Sequence, residues 1–172
     1  MKTAMYFLVA LVIVLLIAPV LMPAQYQLAR SIEINAPLNA VYPRLTDLNE
    51  FVKWNPFSES DPTSKTEVVG TGVGSTMTYS GEKSGEGKMT IVNAVPDKSV
   101  DLRMDFYKPM PGEAMAHWIV AASGETTTTL TWSYEQNLPY FKRYLGIMMD
   151  FMMSPIFDKG LQNFKSLVES AK

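Results

Sequence analysis

Residues 85–106 read GEGKMTIVNAVPDKSVDLRMDF, and this stretch decides the class of fold. Apolar residues alternate with polar ones on both sides of a central Pro-Asp-Lys, which is typical turn material. The apolar positions are Met89 and Ile91 before the turn and Val100, Leu102, Met104 and Phe106 after it. Alternation with a period of two indicates a strand with one buried face. The stretch therefore predicts two antiparallel strands with a turn between them.

The same pattern recurs along much of the chain. Further alternating runs lie at 28–34, 77–79, 115–122 and 126–136, and segments rich in glycine, proline or serine separate them at 70–74, 81–87, 109–112 and 123–125. These runs predict six or seven antiparallel strands with one polar face. A sheet with one wet face must bury the other against a second layer.

The C-terminal segment, residues 139–168, is the predicted cover. Steps of three and four residues place one set of side chains on a common helical face: Asp150, Phe157, Leu161, Phe164 and Val168. Pro155 predicts a bend or interruption near residues 152–154. Two short helices are expected after the first strand, at 37–45 and 48–53. The predicted class is α+β, with a curved sheet of about seven strands wrapped on a long C-terminal helix.

Residues 5–22, MYFLVALVIVLLIAPVLM, are uncharged and almost wholly apolar. A helix of this length rises about 27 Å, close to the roughly 30 Å of a bilayer core. We therefore predict an uncleaved membrane-spanning helix within residues 1–24 and a domain at 25–172. The alternative is a cleaved signal peptide, whose apolar region usually has only about 7–15 residues.

Lys2 precedes this apolar run, and Arg30 is the first charge after it. Positive charge on the short flank favours a cytoplasmic N-terminus. The chain is therefore expected to be a single-pass membrane protein with an extracytoplasmic domain. That domain would lie in the periplasm at a bacterial inner membrane, or at the cell surface.

Composition excludes several classes of function. The net charge is −2 and the pI is near 5.4, so the basic stripe of a nucleic-acid-binding protein is missing. The chain has no cysteine and one histidine, and its carboxylates do not cluster at ligand spacing, so neither a metal nor another cofactor is expected. The glycines of 70–75, GTGVGS, are followed by a strand and lack the closing lysine of a phosphate-binding loop, which indicates a hairpin instead.

A second unusual stretch lies at residues 51–61, FVKWNPFSESD. Phe51, Trp54 and Phe57 stand three residues apart around a proline, and the chain then turns polar. Each aromatic side chain can bury roughly 150–250 Å². These three residues are therefore expected either to fill a core or to line the mouth of a cavity.

Four stretches, taken in order, resemble a known superfamily: SIEINAPLNAVYPRLTDLNEFVKWNPF, GTGVGSTMTYSG, GEGKMTIVNAVPDKSVDLRMDF and DFMMSPIFDKGLQNFKSLVE. Together they span most of residues 26–170. The chain resembles the helix-grip superfamily of START lipid-transfer domains and birch-pollen-allergen-like proteins, also called SRPBCC. Within it, the chain is most similar to the polyketide cyclase/dehydrase and lipid transport family.

The resemblance implies a sheet that grips the C-terminal helix around an apolar cavity for a lipid or another hydrophobic small molecule. It implies that the cavity is lined by inward side chains, with Phe51 beside them: Trp54, Phe57, Met77, Tyr79, Met89, Leu102, Met104, Trp118, Trp132, Tyr134, Phe157 and Leu161. Seven of the twelve methionines fall within 104–153, which suits a deformable apolar lining. The alternative for Trp54 is packing between the short helices.

Two titratable residues are candidates for chemistry. Asp150 shares its predicted helical face with Phe157 and Leu161, so a desolvated carboxylate there could act as a general acid or base. The alternative is an Asp150 on the helix surface. His117 falls on the less apolar face of its strand and is expected to point outward.

Three functions follow from these observations. The first is a membrane-anchored, non-enzymatic domain that binds an apolar ligand. The second is a cyclase or dehydrase type of enzyme that uses Asp150 in the same cavity. The third is a protein-interaction module with a filled core, whose partner the sequence does not name.

Overall fold

A computed structural model of the chain describes residues 2–171, with side chains for residues 5–146 and 148–171. The elements in chain order are α1 (Lys2–Leu21), β1 (Gln25–Ile34), α2 (Leu38–Leu45), α3 (Leu48–Trp54), α4 (Pro56–Ser60), β2 (Lys65–Val69), β3 (Thr76–Gly81), β4 (Gly85–Val95), β5 (Ser99–Lys108), β6 (Gly112–Ala122), β7 (Thr128–Asn137) and α5 (Arg143–Glu169). One turn of 3-10 helix, Tyr140–Lys142, leads into α5. This order confirms the predicted α+β class.

The seven strands form one antiparallel sheet in the order β1-β7-β6-β5-β4-β3-β2. Consecutive strands from β2 to β7 are neighbours, and β1 pairs with β7 along its whole length. The ladder between β4 and β5 shifts register at Glu86/Gly87 and again between Ile91 and Asn93. Such irregularities bend and twist a strand pair. The predicted curved sheet is confirmed.

The alternation in residues 85–106 separates the two faces of the sheet as predicted. Val100 and Leu102 of β5 are fully buried, whereas Arg103, the next residue of the same strand, is exposed. The register places inward residues side by side across the strands, so that Leu102 lies beside Ile91 of β4 and Val100 beside Trp118 of β6. The buried face of the sheet is thus a continuous apolar surface.

An aromatic cluster joins this surface to the helices. Trp132 of β7 stacks on Phe157 of α5 with ring centroids 4.2 Å apart. The ring centroid of Trp54 in α3 lies 5.3 Å from that of Trp118 and 5.0 Å from that of Phe164 in α5. Offset and edge-on contacts of this kind stabilise a core beyond the area that they bury. The cluster fixes α3 and the second half of α5 against the sheet.

The close approach of α5 to the sheet requires a residue without a side chain. A Cβ atom on Gly160 would lie 2.7 Å from the ring of Trp132 and 3.0 Å from the ring of Pro56. The first distance is shorter than real carbon contacts, and the second is tighter than most of them. Glycine at this position therefore lets the helix backbone rest directly on β7 and α4.

Of the bend or interruption predicted near residues 152–154, the interruption is wrong, because α5 runs continuously through Pro155; the bend stays a prediction. A proline removes one hydrogen bond, the one to the carbonyl group four residues earlier. That residue is Phe151, which is 83% exposed, so solvent can satisfy the carbonyl group.

Three short helices follow β1, where the sequence predicted two. The additional helix is α4, which begins at Asn55-Pro56. The side chain of Asn55 accepts a hydrogen bond from the backbone N–H of Phe57, and Pro56 occupies the first helical position. Asparagine at the cap and proline next to it are both favoured at a helix start.

Asp61 fastens the end of α4 to the turn between β3 and β4. Its buried carboxylate accepts hydrogen bonds from Thr63, from the backbone N–H groups of Lys83 and Ser84, and from the Ser84 hydroxyl. The Thr63 hydroxyl, followed by the Ser84 N–H, holds the pKa of this carboxyl well below its usual range, against the effect of burial. These bonds favour the charged form.

We expect Asp61→Asn to lower the urea midpoint of unfolding, because an amide cannot accept all of these bonds. A carboxyl with a lowered pKa in the folded state stabilises fully above its unfolded pKa of about 3.9 and loses that effect as the pH falls toward the folded value. The difference in midpoint between wild type and variant should therefore be constant from pH 7 to 5 and shrink below about pH 4. Asp97→Asn, in an exposed turn, is the control. A difference that stayed constant down to pH 3 would contradict this role.

The α1 helix meets the rest of the chain at the start of α5. Arg143 Nη1 donates to the carbonyl oxygen of Pro19 at 2.9 Å, and the hydroxyls of Tyr140 and Tyr144 donate to carbonyl groups of α1. In the part of the chain that the structure describes, no helix combines the length and apolarity needed to cross a bilayer. The membrane-spanning helix predicted within residues 1–24 is therefore not supported.

Candidate functional site: a cavity under the C-terminal helix

A cavity of about 400 Å³ lies between the inner face of the sheet and the first half of α5. Strands β3, β4, β5 and β7 form its floor, and residues of α3 and α4 close one side. The volume falls within the range of about 300–1,000 Å³ that is usual for small-molecule sites. The gap exists because the second half of α5 fills its side of the sheet with large aromatic residues, whereas the first half does not.

The lining is dominated by methionine and aromatic side chains. The methionines are Met77, Met89, Met104, Met110, Met148, Met149, Met152 and Met153, and the aromatic residues include Phe51, Phe57, Phe106, Trp132 and Phe157. Methionine is unbranched and polarisable, so such a surface can adapt to apolar ligands of different shape. Met148 and Met152 are also more than half exposed, which places an opening of the cavity along α5.

Two tyrosines and a glutamine supply polar groups inside this lining. Burial raises the pKa of Tyr79 to about 12 and raises the pKa of Tyr134 further. Both phenols are therefore uncharged at neutral pH. The Tyr134 hydroxyl donates to Oε1 of Gln136 at 3.0 Å. These groups can form hydrogen bonds to a ligand without placing a charge among the apolar residues.

Among the described residues that line the cavity, none is aspartate, glutamate or histidine. The two charged side chains are Lys108 and Lys142, at one end of the cavity. Lys108 pairs with Glu86 at 2.9 Å, and Lys142 donates to the carbonyl oxygen of Pro111. The arrangement suits the binding of an apolar molecule, and it lacks an acid–base pair of carboxylate and imidazole. Across the described residues, no group of three potential metal ligands is found either.

The residues predicted to bind a ligand divide into two groups. Eight line the cavity: Phe57, Met77, Tyr79, Met89, Met104, Trp132, Tyr134 and Phe157. Four lie in the packed core, each at most 1% exposed: Trp54, Leu102, Trp118 and Leu161. Contact of any of the twelve with a ligand stays a prediction. For Trp54, the position agrees with the alternative of packing among the helices and the sheet.

Several lining residues were missed by the sequence analysis. On α5 they are Leu145 and the four methionines of 148–153, and elsewhere they include Phe106, Gln136, Lys108 and Lys142. The concentration of methionine in the second half of the chain was a signal for the first group. The lysines and Gln136 carry no local sequence pattern that separates them from surface residues.

Of the two orientations considered for Asp150, the inward one is wrong, and the alternative on the helix surface agrees with the structure. Asp150 is exposed, and its carboxylate accepts a long hydrogen bond from Ser154, which in turn accepts one from Arg30 of β1. The prediction assumed that one side of the helix faces the sheet along its whole length. In the first half of α5, Leu145, Met149 and Met153 face the cavity instead, so Asp150 is turned toward solvent.

His117 points away from the cavity, as expected from the strand alternation. Its Nδ1 lies 2.7 Å from Asp101 Oδ1 on the neighbouring strand, and its Nε2 lies 3.9 Å from Glu135. Burial alone would raise the pKa of Asp101, but hydrogen bonds from His117 and Asn93 lower it overall. This pair stabilises the outer face of the sheet.

A second concavity lies on the outer surface. It is wide and shallow and is lined by residues that include Lys88, Arg103, Asp105 and Glu113. Asp105 pairs with Arg103 at 3.4 Å and with Lys88 at 3.9 Å. Most of the charged groups in this concavity are therefore already paired with one another. The enclosed cavity is the better candidate for a ligand site.

A curved antiparallel sheet that holds a long C-terminal helix over an apolar cavity defines the helix-grip class of protein. Residues 25–169 match the sequence profile of the family described as polyketide cyclase / dehydrase and lipid transport, and the chain belongs to this family. The predicted resemblance is confirmed. No match is found among curated proteins.

Solved structures with the same fold include enzymes. Norcoclaurine synthase from Thalictrum flavum, in complex with dopamine and hydroxybenzaldehyde, is 14% identical with a TM-score of 0.66, over 86% of this chain and 88% of that one. The Zhui aromatase/cyclase of a Streptomyces species is 13% identical with a TM-score of 0.59, over 84% and 94%. A protein from Chromobacterium violaceum is 21% identical with a TM-score of 0.55, over 86% and 99%. Identities this low show the shared fold alone.

The different positions of Trp54 and Phe57 lead to a testable difference. We expect Trp54→Ala to lower the free energy of unfolding by about 3–5 kcal/mol, because it opens a hole in the aromatic cluster. Phe57→Ala should cost less stability, since Phe57 borders a space that is already open, but it should weaken binding of a fluorescent fatty acid. Urea denaturation and probe titration of both variants measure the two effects. An unchanged midpoint with lost affinity in Trp54→Ala would instead place this residue at the ligand.

Proposed function

We propose that this protein binds a hydrophobic small molecule or lipid in the cavity under α5 and does not transform it. The observation that carries the proposal is the lining itself: about 400 Å³ enclosed mainly by methionine and aromatic side chains, with no acidic residue or histidine among the described lining residues. Burial of apolar ligand surface against such a lining is favourable by roughly 25 cal/mol per Å² before the costs of association. Membership of a family described by lipid transport supports the same function.

The alternative is catalysis of the cyclase or dehydrase type. The observation that favours it is the presence of two uncharged phenols, Tyr79 and Tyr134, within the cavity, since an uncharged phenol can donate a proton or a hydrogen bond to a reacting oxygen. The family description and the fold shared with an aromatase/cyclase are compatible with this alternative. The exposed Asp150 is a poor candidate for the acid–base group of such an enzyme. A protein-interaction module with a filled core fits less well, because side chains of the protein leave about 400 Å³ of the interior unfilled.

A matched pair of substitutions tests the binding site. Met149 lines the cavity, whereas Met115 lies on the outer face of β6. We expect Met149→Lys to weaken binding of a fluorescent fatty acid at least about tenfold, because an ammonium group among apolar side chains opposes an apolar ligand. Met115→Lys should leave the affinity unchanged.

The readout is probe titration, with circular dichroism to confirm folding and mass spectrometry of the ligand after incubation. Equal affinity in both variants would place the ligand elsewhere. A changed ligand mass that depends on the wild-type protein would favour the enzyme.

Attachment of the domain to the extracytoplasmic face of a membrane is also a proposal. Its support is the uncharged run of residues 5–22 and the exposure of large apolar side chains along α1. A helix that is apolar on all sides is ordinarily covered by lipid or protein.

We expect the full chain to sediment with membranes and to resist alkaline extraction, while the chain lacking residues 1–24 should remain in the supernatant. The N-terminal sequence of the mature protein is the control for processing. A mature chain that begins near Gln25 would identify a cleaved signal peptide and contradict the anchor.

A further inference from the structure

The two charged side chains of the cavity lining, Lys108 and Lys142, lie at the same end of the cavity as Gln136. Lys108, Gln136 and Lys142 all lie beside the segment that joins β5 to β6. Lys142 Nζ donates to the carbonyl oxygen of Pro111 at 3.2 Å, and a Cβ atom on Gly112 would lie 3.3 Å from Gln136 Nε2. The Gln136 amide and the Lys142 ammonium group therefore flank the same short turn, and the four methionines of 148–153 on α5 line the cavity beyond Lys142 along the helix.

This end of the cavity carries positive charge that the lining does not neutralise. Lys108 has an acidic partner, Glu86, outside the lining. Lys142 has only a carbonyl oxygen as its described partner, and no carboxylate of the described residues lies within 4 Å of it. A carbonyl group satisfies one N–H of an ammonium group but leaves its charge and its two remaining donors free.

Gln136 adds neutral donors to the same corner. Its Oε1 already accepts the hydrogen bond of the Tyr134 hydroxyl, so its Nε2 faces outward from that pair with two N–H groups to donate. Tyr134 stays protonated because burial raises its pKa, which keeps Oε1 in the acceptor role. The corner therefore offers N–H donors and a cation, and its complement is an anionic acceptor.

From this arrangement we propose that the ligand is a single-chain amphiphile with a carboxylate head, held at Lys142 and Gln136, and an apolar chain that lies along the methionines of α5. This inference rests on the proposed binding function and names the chemical class of the ligand. Charge-assisted hydrogen bonds from an ammonium group and an amide to a carboxylate are stronger than neutral ones. The head is therefore expected to set the orientation of the ligand, and the chain to supply most of the buried area.

The test measures, by equilibrium dialysis, the affinity of the full-length protein for a saturated fatty acid and for the methyl ester of the same acid. In the wild type we expect the acid to bind about tenfold more tightly than the ester, with the preference decreasing as salt is added. Lys142→Met removes the charge while keeping the length of the side chain, and it should bring the two affinities together. Lys142→Arg should restore the preference, and the exposed Lys98→Met should leave it intact.

The outcomes separate this inference from the binding function itself. If the wild type binds acid and ester equally, and Lys142→Met changes neither affinity, the head-group assignment fails while binding in the cavity stands. If the wild type binds neither molecule, the binding function fails as well. A preference that survives in Lys142→Met but disappears in Gln136→Met would overturn the role of the lysine.

Discussion

The contact between the second half of α5 and the aromatic face of the sheet determines the rest of the architecture. Phe157 stacks on Trp132, Phe164 lies against Trp54, and Gly160 lets the helix backbone approach both β7 and α4. Each ring can bury roughly 150–250 Å², and edge-on or stacked pairs add further stabilisation. The inward-facing side chains of this half of the helix are buried in the core. The other half extends from it over the sheet and also contacts α1 and β1, through Arg143 and Ser154.

The cavity is a consequence of this unequal use of one helix. A helix of 27 residues is about 40 Å long, and large side chains fill the space beneath only part of it. Under the first half, the strands and the helix contribute methionines, which reach toward each other without closing the space. On the opposite face, the sheet carries hydrogen-bonded polar side chains such as His117 with Asp101, which suit contact with water. The sheet thus separates a solvated surface from an apolar interior site.

Local pattern was sufficient for the sheet and its faces. Val100 and Leu102 share one face of β5 because successive side chains of a strand point to opposite sides, wherever the strand lies in the fold. Their apolar character then identified that face as the buried one. Local pattern was insufficient for Asp150, because its orientation depends on which side of α5 meets the sheet at that point. For Trp54, a spacing of three residues does not tell a cavity wall from a packed core. That distinction depends on whether neighbouring side chains fill the available volume, which arises only from tertiary packing.

The thioethers at the opening of the cavity also give the site a chemical vulnerability. Met148 and Met152 are more than half exposed, so dissolved oxidants reach their sulfur atoms directly. Conversion to the sulfoxide would turn two adaptable apolar side chains into polar, chiral ones at the opening of the cavity. On the proposed binding function, this oxidation would lower the affinity for a hydrophobic ligand, and reduction of the sulfoxide by a reductase would reverse the effect. The methionines that make the lining adaptable are thus also the lining residues whose polarity can be changed by oxidants.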